Sequence, residues 1–321
     1  MLLTEFLEEW SNSSETVLVH TSGSTGKPKP LLVEKRRMEA SARITCSFLG
    51  LKEGDTALLC MPLDFIAGKM MVVRALTCGL RLIAVEPKGC PEWEGPIDFA
   101  AMVPLQVWNL LQQAPERLRQ IRHLIIGGGA INNELAEALK DMPNAIWSTY
   151  GMTETLSHIA LRRLNGPERN LWYTPFDGVN VSLNPEGCLV INAPAVHDGP
   201  LVTNDIAELS GLNFRILGRK DNVVCSGGIK IQIEEVERLL HPHLRQPFLI
   251  SKASDMKLGE QVVLLTTSLD VDAVRVVCQK VLPRYWQPRQ YLHIETIPLT
   301  ATGKPARAEA EILCRSILTI H

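Results

Sequence analysis

The densest concentration of potential chemistry lies near the start of the chain, in Thr21-Ser22-Gly23-Ser24-Thr25-Gly26-Lys27-Pro28-Lys29. Its hydroxyls and two glycines form a loop whose backbone N–H and side-chain O–H groups can surround phosphate oxygens, with Lys27 and Lys29 adding charge. A Walker A loop needs a longer Gly-to-Lys spacing and a Ser/Thr after the Lys, whereas Pro28 follows here. An ordinary polar turn is the alternative for a Ser/Gly/Thr stretch alone. A second feature is Arg74, set in the apolar run Met70-Met71-Val72-Val73. An unpaired charge on a buried helix face is unfavourable, so Arg74 either meets an anionic ligand, snorkels to the surface or pairs with a helix-neighbour acid. Gly127-Gly128-Gly129-Ala130 would let a ligand approach the backbone closely, or serve only as a strand-to-helix turn. Lys304, between Gly303 and Pro305, belongs on a loop rather than a helix.

These residues need a frame to position them. Leu3, Phe6, Leu7 and Trp10 have helical spacing. From about residue 16 to 150, β-branched-rich runs at Thr16–His20, Thr56–Met61, Arg81–Glu86, Phe99–Val103, His123–Ile126 and Ala145–Ser148 alternate with helical segments near 35–49, 67–78, 104–113 and 132–140. Near-continuous apolar strands alternating with helices predict an α/β fold with a mostly parallel, buried sheet. Residues 157–217, rich in Gly, Pro and Asn, predict a β-rich subdomain. A third pattern follows: helix 234–241, strands near 247–251 and 260–267, helix 271–282 and strand 290–296, a small α+β unit. The boundary is placed at Gly218–Arg219, giving domains 1–218 and 219–321.

Composition narrows the function classes. The 321 residues carry 33 Lys+Arg against 35 Asp+Glu, a net charge of -2 that provides no basic excess for nucleic acid. Apolar runs fall short of the ~20 residues that cross a bilayer. Glu5, Glu8 and Glu9 stand where a signal peptide would be basic. The eight cysteines contain no C-x-x-C pair, which argues against structural zinc. A cytoplasmic protein with reduced thiols is the expectation.

The loop at 21–29 resembles the signature of the adenylate-forming superfamily, which includes acyl-CoA synthetases, adenylation domains and luciferases. Four further segments resemble that superfamily in the same order: Tyr150-Gly151-Met152-Thr153-Glu154; Thr203-Asn204-Asp205; Gly218-Arg219-Lys220-Asp221 with Ser226-Gly227-Gly228-Ile229-Lys230; and Pro298–Lys304. The resemblance implies a large N-terminal domain and a small mobile C-terminal one. It also implies a reaction in which a carboxylate displaces pyrophosphate from ATP and the acyl group passes to CoA. A carboxylate is ionised at pH 7 and needs no general base. Bringing two anions together instead demands positioning and charge neutralisation.

By resemblance, residues 21–29 hold phosphates, Glu154 with Thr153 holds Mg²⁺, and Tyr150 stacks on adenine beside Gly128, Gly129, Ala130 and Gly151. Asp205 and Arg219 serve the ribose, Asp221 is the hinge, Gly228 lines the pantetheine channel, and Lys304 is the catalytic lysine. Asn204 replaces the family's usual Gly. The stretch Met61–Arg74 resembles o-succinylbenzoate–CoA ligases of menaquinone biosynthesis, matching at Pro62, Gly68 and Arg74, while Phe65 stands for the family's His and Asp64 for an aromatic. This implies an aromatic dicarboxylate, with Arg74 taking the second carboxylate and Gly68 and His158 lining the acyl pocket. Few residues precede the phosphate loop compared with the family, so the surface there is expected to be polar or covered by a second copy in a homo-oligomer. A carrier-protein thiol as acceptor and a non-catalytic nucleotide binder stay open as alternatives.

Overall fold

A computed structural model describes residues 1–20, 30–129, 131, 133–300 and 305–319. The chain divides into two compact units, one of Met1–Ser182, Val190–Val202 and Leu209–Arg215, the other of Leu183–Leu189, Thr203–Glu208 and Ile216–His321.

The first unit opens with α1 (Leu3–Ser11), which buries Phe6. β1 (Thr16–His20) pairs antiparallel with β2 (Pro30–Glu34) in a two-stranded sheet of their own. This corrects the expectation that Thr16–His20 joins the parallel sheet: β2, which alternation analysis missed, takes its pairing edge. Lys69 ties these pieces together, its Nζ donating to the Leu18 carbonyl at 2.7 Å and to Glu9 at 3.2 Å.

α2 (Lys35–Leu49) and α3 (Ile66–Cys78) end at Gly50 and Gly79, both left-handed with φ of 64° and 67°. That conformation favours glycine and halts the helix. β3 (Thr56–Leu59), β4 (Arg81–Ala84), β5 (Ile97–Met102), β6 (Ile121–Ile126) and β7 (Ala145–Gly151) build the parallel part of a seven-stranded sheet. Its order is β4-β3-β5-β6-β7-β8-β9, and β8 (His158–Arg163) and β9 (Thr174–Pro175) extend it antiparallel. α4 (Pro104–Gln113) starts with proline, whose missing N–H is harmless in a first helical turn. α5 (Pro115–Arg119) and α6 (Asn133–Leu139) complete this part. Leu58, Ile97, Leu110, Leu124, Ile126 and Ile146 lie in one core cluster on the sheet.

Residues 157–217 contain β8, β9, β10 (Asn180–Leu183), β11 (Cys188–Asn192), β12 (Leu201–Ser210) and β13 (Asn213–Arg219), the β-rich stretch expected. The last four strands contribute residues to both units. The second unit adds β14 (Val223–Ser226), β15 (Ile229–Gln232), α7 (Ile233–Leu240), β16 (Phe248–Asp255), β17 (Gly259–Thr266), α8 (Val271–Val281), β18 (Gln290–His293) and α9 (Arg307–Thr319). Alternation along β16 and β17 separates two cores. Ile250 and Leu264 pack with α7 and α8. Leu249, Val263 and Leu265 pack with Ala310 and Cys314 of α9. The sheet is thus covered on both faces. No helix among the described residues is long and apolar enough to cross a membrane.

Candidate functional site

Several expected site residues converge where β7 turns into β8. The register between these strands shifts at Tyr150/Gly151, a bulge that redirects the chain. A side chain at Gly151 would collide with the Ser157 carbonyl and the His158 backbone, so the close return of β8 requires glycine. Between them Thr153–Thr155 form a 3-10 turn, followed by Leu156 at φ 64°. A buried non-glycine residue in that region is strained, and such strain clusters at functional turns. The Thr155 hydroxyl staples the turn, donating to the Ser157 carbonyl at 2.7 Å. Glu154 thereby projects into solvent while His158 is buried.

Tyr150 is half-buried, its ring 5.0 Å from Phe214 and 5.7 Å from Tyr173. The aromatic group is anchored by a 2.9 Å hydrogen bond between the Tyr173 and Ser148 hydroxyls. Gly127–Gly129 leave β6, with Gly128 exposed and left-handed at φ 77°.

Magnesium was expected at Glu154. Among the described residues no group of three or more His, Cys, Asp or Glu is arranged to hold a metal on its own. A single exposed carboxylate beside a hydroxyl instead fits Mg²⁺, which keeps several waters and takes its other ligands from substrate phosphates.

Arg74 occupies the middle of α3 and is only 2% exposed. It neither snorkels nor pairs with a helix-neighbour acid: no carboxylate among the described residues lies within ion-pair distance of it, and its Nε is buried with no hydrogen-bond partner. One Nη2–H donates to the Ser157 hydroxyl at 2.7 Å, and the guanidinium sits 5.9 Å from the Phe99 ring centre. Burial pushes its pKa down to about 10, with the Cys46 and Cys78 thiols pulling the other way. Gly68, in the same helix, is explained by packing: a Cβ there would run into the Pro62 carbonyl. His158 lies beside the acyl-pocket candidate Arg74, hydrogen-bonded to Ser157 at 3.1 Å and to Thr45 at 3.2 Å. Its ring also lines a cavity of about 110 Å³ with Ile44, Phe176 and Val196. Sequence reasoning missed Ser157 and Thr45. Ser157 adjoins a recognised segment, but nothing in the sequence links Thr45 to a histidine 113 positions away.

In the second unit, Asp205 and Arg219 meet at 3.2 Å, and Arg219 also donates to Asp221 at 3.0 Å. Burial works against the charge on Arg219, but the Asp221 hydrogen bond and the Asp205 charge outweigh it and raise its pKa. Asn204 donates to Asp221 at 3.2 Å. The residue that departs from the family pattern therefore holds the expected hinge carboxylate. Gly228 has φ 84° and open space around it. Thr21, Ser22, Gly23, Ser24, Thr25, Gly26, Lys27, Lys29, Ala130 and Lys304 lie outside the described residues.

The AMP-binding enzyme family matches residues 5–187, more than half of the chain. A 2-succinylbenzoate–CoA ligase of Bacillus mycoides is 26% identical over 345 residues, covering 94% of this chain and 71% of the relative. An acyl-CoA synthetase (AMP-forming)/AMP-acid ligase II-like protein from Dyadobacter fermentans is 31% identical, with a TM-score of 0.65 and coverage of 95% of this chain and 92% of that one. The o-succinylbenzoate coenzyme A synthetase MenE from Bacillus subtilis, solved with ATP and magnesium, shares the fold at a TM-score of 0.75 and 22% identity, over 91% of this chain and 69% of that one. The chain therefore belongs to the AMP-binding enzyme family, and within it to the AMP-forming acyl-CoA ligases.

Proposed function

We propose that the protein converts an aromatic dicarboxylate, o-succinylbenzoate, to its CoA thioester at the expense of ATP. The observation that carries the choice of acid is Arg74, a buried guanidinium without a carboxylate partner among the described residues. A buried donor left unmade is unfavourable by about 1–3 kcal/mol, and an incoming carboxylate removes that penalty through paired, charge-assisted hydrogen bonds. The relatives named 2-succinylbenzoate–CoA ligase support the same acid.

In the first step one carboxylate oxygen attacks the α-phosphorus of ATP, the bond to the bridging oxygen breaks, and pyrophosphate leaves. Glu154, with Thr153, would hold the magnesium that offsets phosphate charge. Tyr150, Gly151, Gly128, Gly129 and Ala130 serve the base. Asp205 and Arg219 serve the ribose, and residues 21–29 serve the phosphates. Lys304 supplies the cation for the charge that builds between acid and phosphate. In the second step the CoA sulfur attacks the acyl carbonyl, its thiol proton is lost to solvent, and AMP leaves. Gly228 borders the path of the thiol, and Asp221 is the pivot between the two steps. Domains 1–218 and 219–321 divide these tasks. Arg74, in the same helix as Gly68 and backed by Ser157 and His158, holds the carboxylate that does not react.

The test is a screen of carboxylic acids for ATP-dependent pyrophosphate release, with and without CoA. The expected result is o-succinylbenzoate turnover with thioester formation on free CoA. Activity confined to monocarboxylates would refute the choice of acid.

A further inference from the structure

Behind Arg74 runs a chain of hydrogen bonds whose direction follows from its two ends, a carbonyl that can only accept and a guanidinium that can only donate. The Thr45 hydroxyl donates its one proton to the Ser41 carbonyl at 3.1 Å, as helix-interior threonines do. Thr45 Oγ1 can then only accept from His158 Nε2, 3.2 Å away. The imidazole therefore carries its proton on Nε2, and Nδ1 is left as an acceptor. The group facing Nδ1 is the Ser157 hydroxyl at 3.1 Å, which donates its proton there. With that proton committed, Ser157 Oγ offers lone pairs to Arg74 Nη2 at 2.7 Å.

The relay thus reads Arg74 to Ser157 to His158 to Thr45 to Ser41. It starts at a guanidinium and ends on a backbone carbonyl of α2. Burial and the adjoining Arg74 charge lower the His158 pKa well below its ordinary value, which keeps the ring neutral and so preserves the acceptor at Nδ1. With the links reversed, Ser157 Oγ would accept from both Arg74 and His158, and its own proton would have no acceptor within the relay.

We propose that His158, acting through the Ser157 hydroxyl, is a positioning residue that fixes the guanidinium plane of Arg74 for the non-reacting carboxylate of the acid substrate. This rests on Arg74 being the cation for that carboxylate. His158 does not itself touch the acid. A free Ser157 hydroxyl could rotate its proton toward Arg74 and push it out of line, whereas the neutral Nδ1 holds that proton on the far side. Partners that orient metal-binding residues change metal affinity by ~10–100-fold, and an effect of the same order is expected for the guanidinium.

The experiment compares wild type with Arg74→Ala, Ser157→Ala, His158→Leu and His158→Asn. Two acids are used: o-succinylbenzoate and 4-oxo-4-phenylbutanoate, the same skeleton without its ring carboxylate. The asparagine carbonyl occupies the place of Nδ1 and keeps the acceptor for Ser157. Ser157→Ala and His158→Leu are expected to raise KM for the dicarboxylate about tenfold or more with kcat nearly unchanged and the monocarboxylate unaffected. His158→Asn is expected to recover most of that loss. Preserved dicarboxylate preference in Ser157→Ala and His158→Leu, alongside its loss in Arg74→Ala, would overturn the relay and leave Arg74 as the clamp. Unchanged preference in Arg74→Ala would overturn the clamp itself. Nitrogen NMR of labelled histidine supplies a readout independent of turnover. The resonance pair missing from His158→Asn is expected to be the neutral Nε2–H tautomer, and an Nδ1–H or doubly protonated ring would refute the relay.

Discussion

Replacing Arg74 with methionine should make the protein more stable and worse at its reaction. At 2% exposure the guanidinium is held in an apolar helix face with one strong hydrogen bond. Burial lowers its pKa to about 10, and at about 1.4 kcal/mol per tenfold that corresponds to roughly 3 kcal/mol of native-state penalty. The sign follows from linkage: a base whose folded pKa is depressed destabilises the fold below that pKa, so the penalty is fully present at pH 7 and is lost only as pH rises through about 10 toward the higher value of the unfolded chain. Methionine has similar length and no charge, and substituting buried charges with apolar residues is commonly neutral or stabilising by about 1–4 kcal/mol. Loss of the Phe99 contact and the Ser157 hydrogen bond offsets part of this. With about 2–4 °C per kcal/mol for a domain of this size, scanning fluorimetry without ligands should show a Tm rise of roughly 3–8 °C. The same variant should lose about 30–1000-fold in kcat/KM for o-succinylbenzoate, the expected range for removing one partner of a buried charged pair. The monocarboxylate analogue should be nearly unaffected. A fall in Tm, or equal loss for both acids, would show that Arg74 is a structural residue already satisfied in the fold.

Three further outcomes are expected. Gly68→Ala should destabilise the first unit by about 1–3 kcal/mol, because a methyl group meets the Pro62 carbonyl rather than a side chain that can move; denaturant unfolding measures it, and an unchanged midpoint would contradict the packing. His158 should make the native state lose stability as pH falls below 6.5, since the unfolded chain takes up a proton that the folded one refuses, with a slope of up to about 1.4 kcal/mol per pH unit. His158→Asn should flatten that slope, and an identical pH profile for the two proteins would contradict the buried neutral ring. Glu154→Gln should raise the magnesium concentration needed for half-maximal pyrophosphate release about tenfold or more while leaving Tm within a degree or so, because the side chain is exposed and removing a surface charge changes little; an unchanged magnesium requirement would remove Glu154 from the metal site.

Much of the fold was readable because its parallel strands are buried on both faces and therefore appear as uninterrupted apolar runs. Ala145–Ser148 and His123–Ile126 are examples, and both neighbour each other in the sheet. A helix start was readable where one residue controls it, as at Pro104 for the segment 104–113. β2, β14 and β15 were missed because Pro30–Glu34 opens on proline and is mostly exposed, while Val223–Ser226 and Ile229–Gln232 mix polar with apolar residues around the Gly227-Gly228 turn. β8 was assigned to the β-rich stretch, yet it pairs with β7 of the main sheet, a long-range choice that local composition does not encode. For the candidate site, linear motifs pointed to Glu154, Tyr150, Asp205 and Arg219, and the fold sets Asp205 against Arg219 at 3.2 Å. What links Arg74 to His158 was hidden. The acid it lacks is an absence, Ser157 reaches it through the turn at Leu156, and Thr45 of α2 reaches His158 across 113 positions.

The account rests on a carboxylate oxygen becoming bonded to the α-phosphorus of ATP, and isotope transfer reads that bond directly. Wild-type protein is incubated with ATP, magnesium, CoA and o-succinylbenzoate carrying heavy oxygen in its carboxylates, and the AMP is analysed by mass spectrometry. One heavy oxygen in each AMP released, matched by one thioester formed, is the predicted result. AMP or ADP without the label, or no nucleotide turnover from folded protein with any acid, would contradict it.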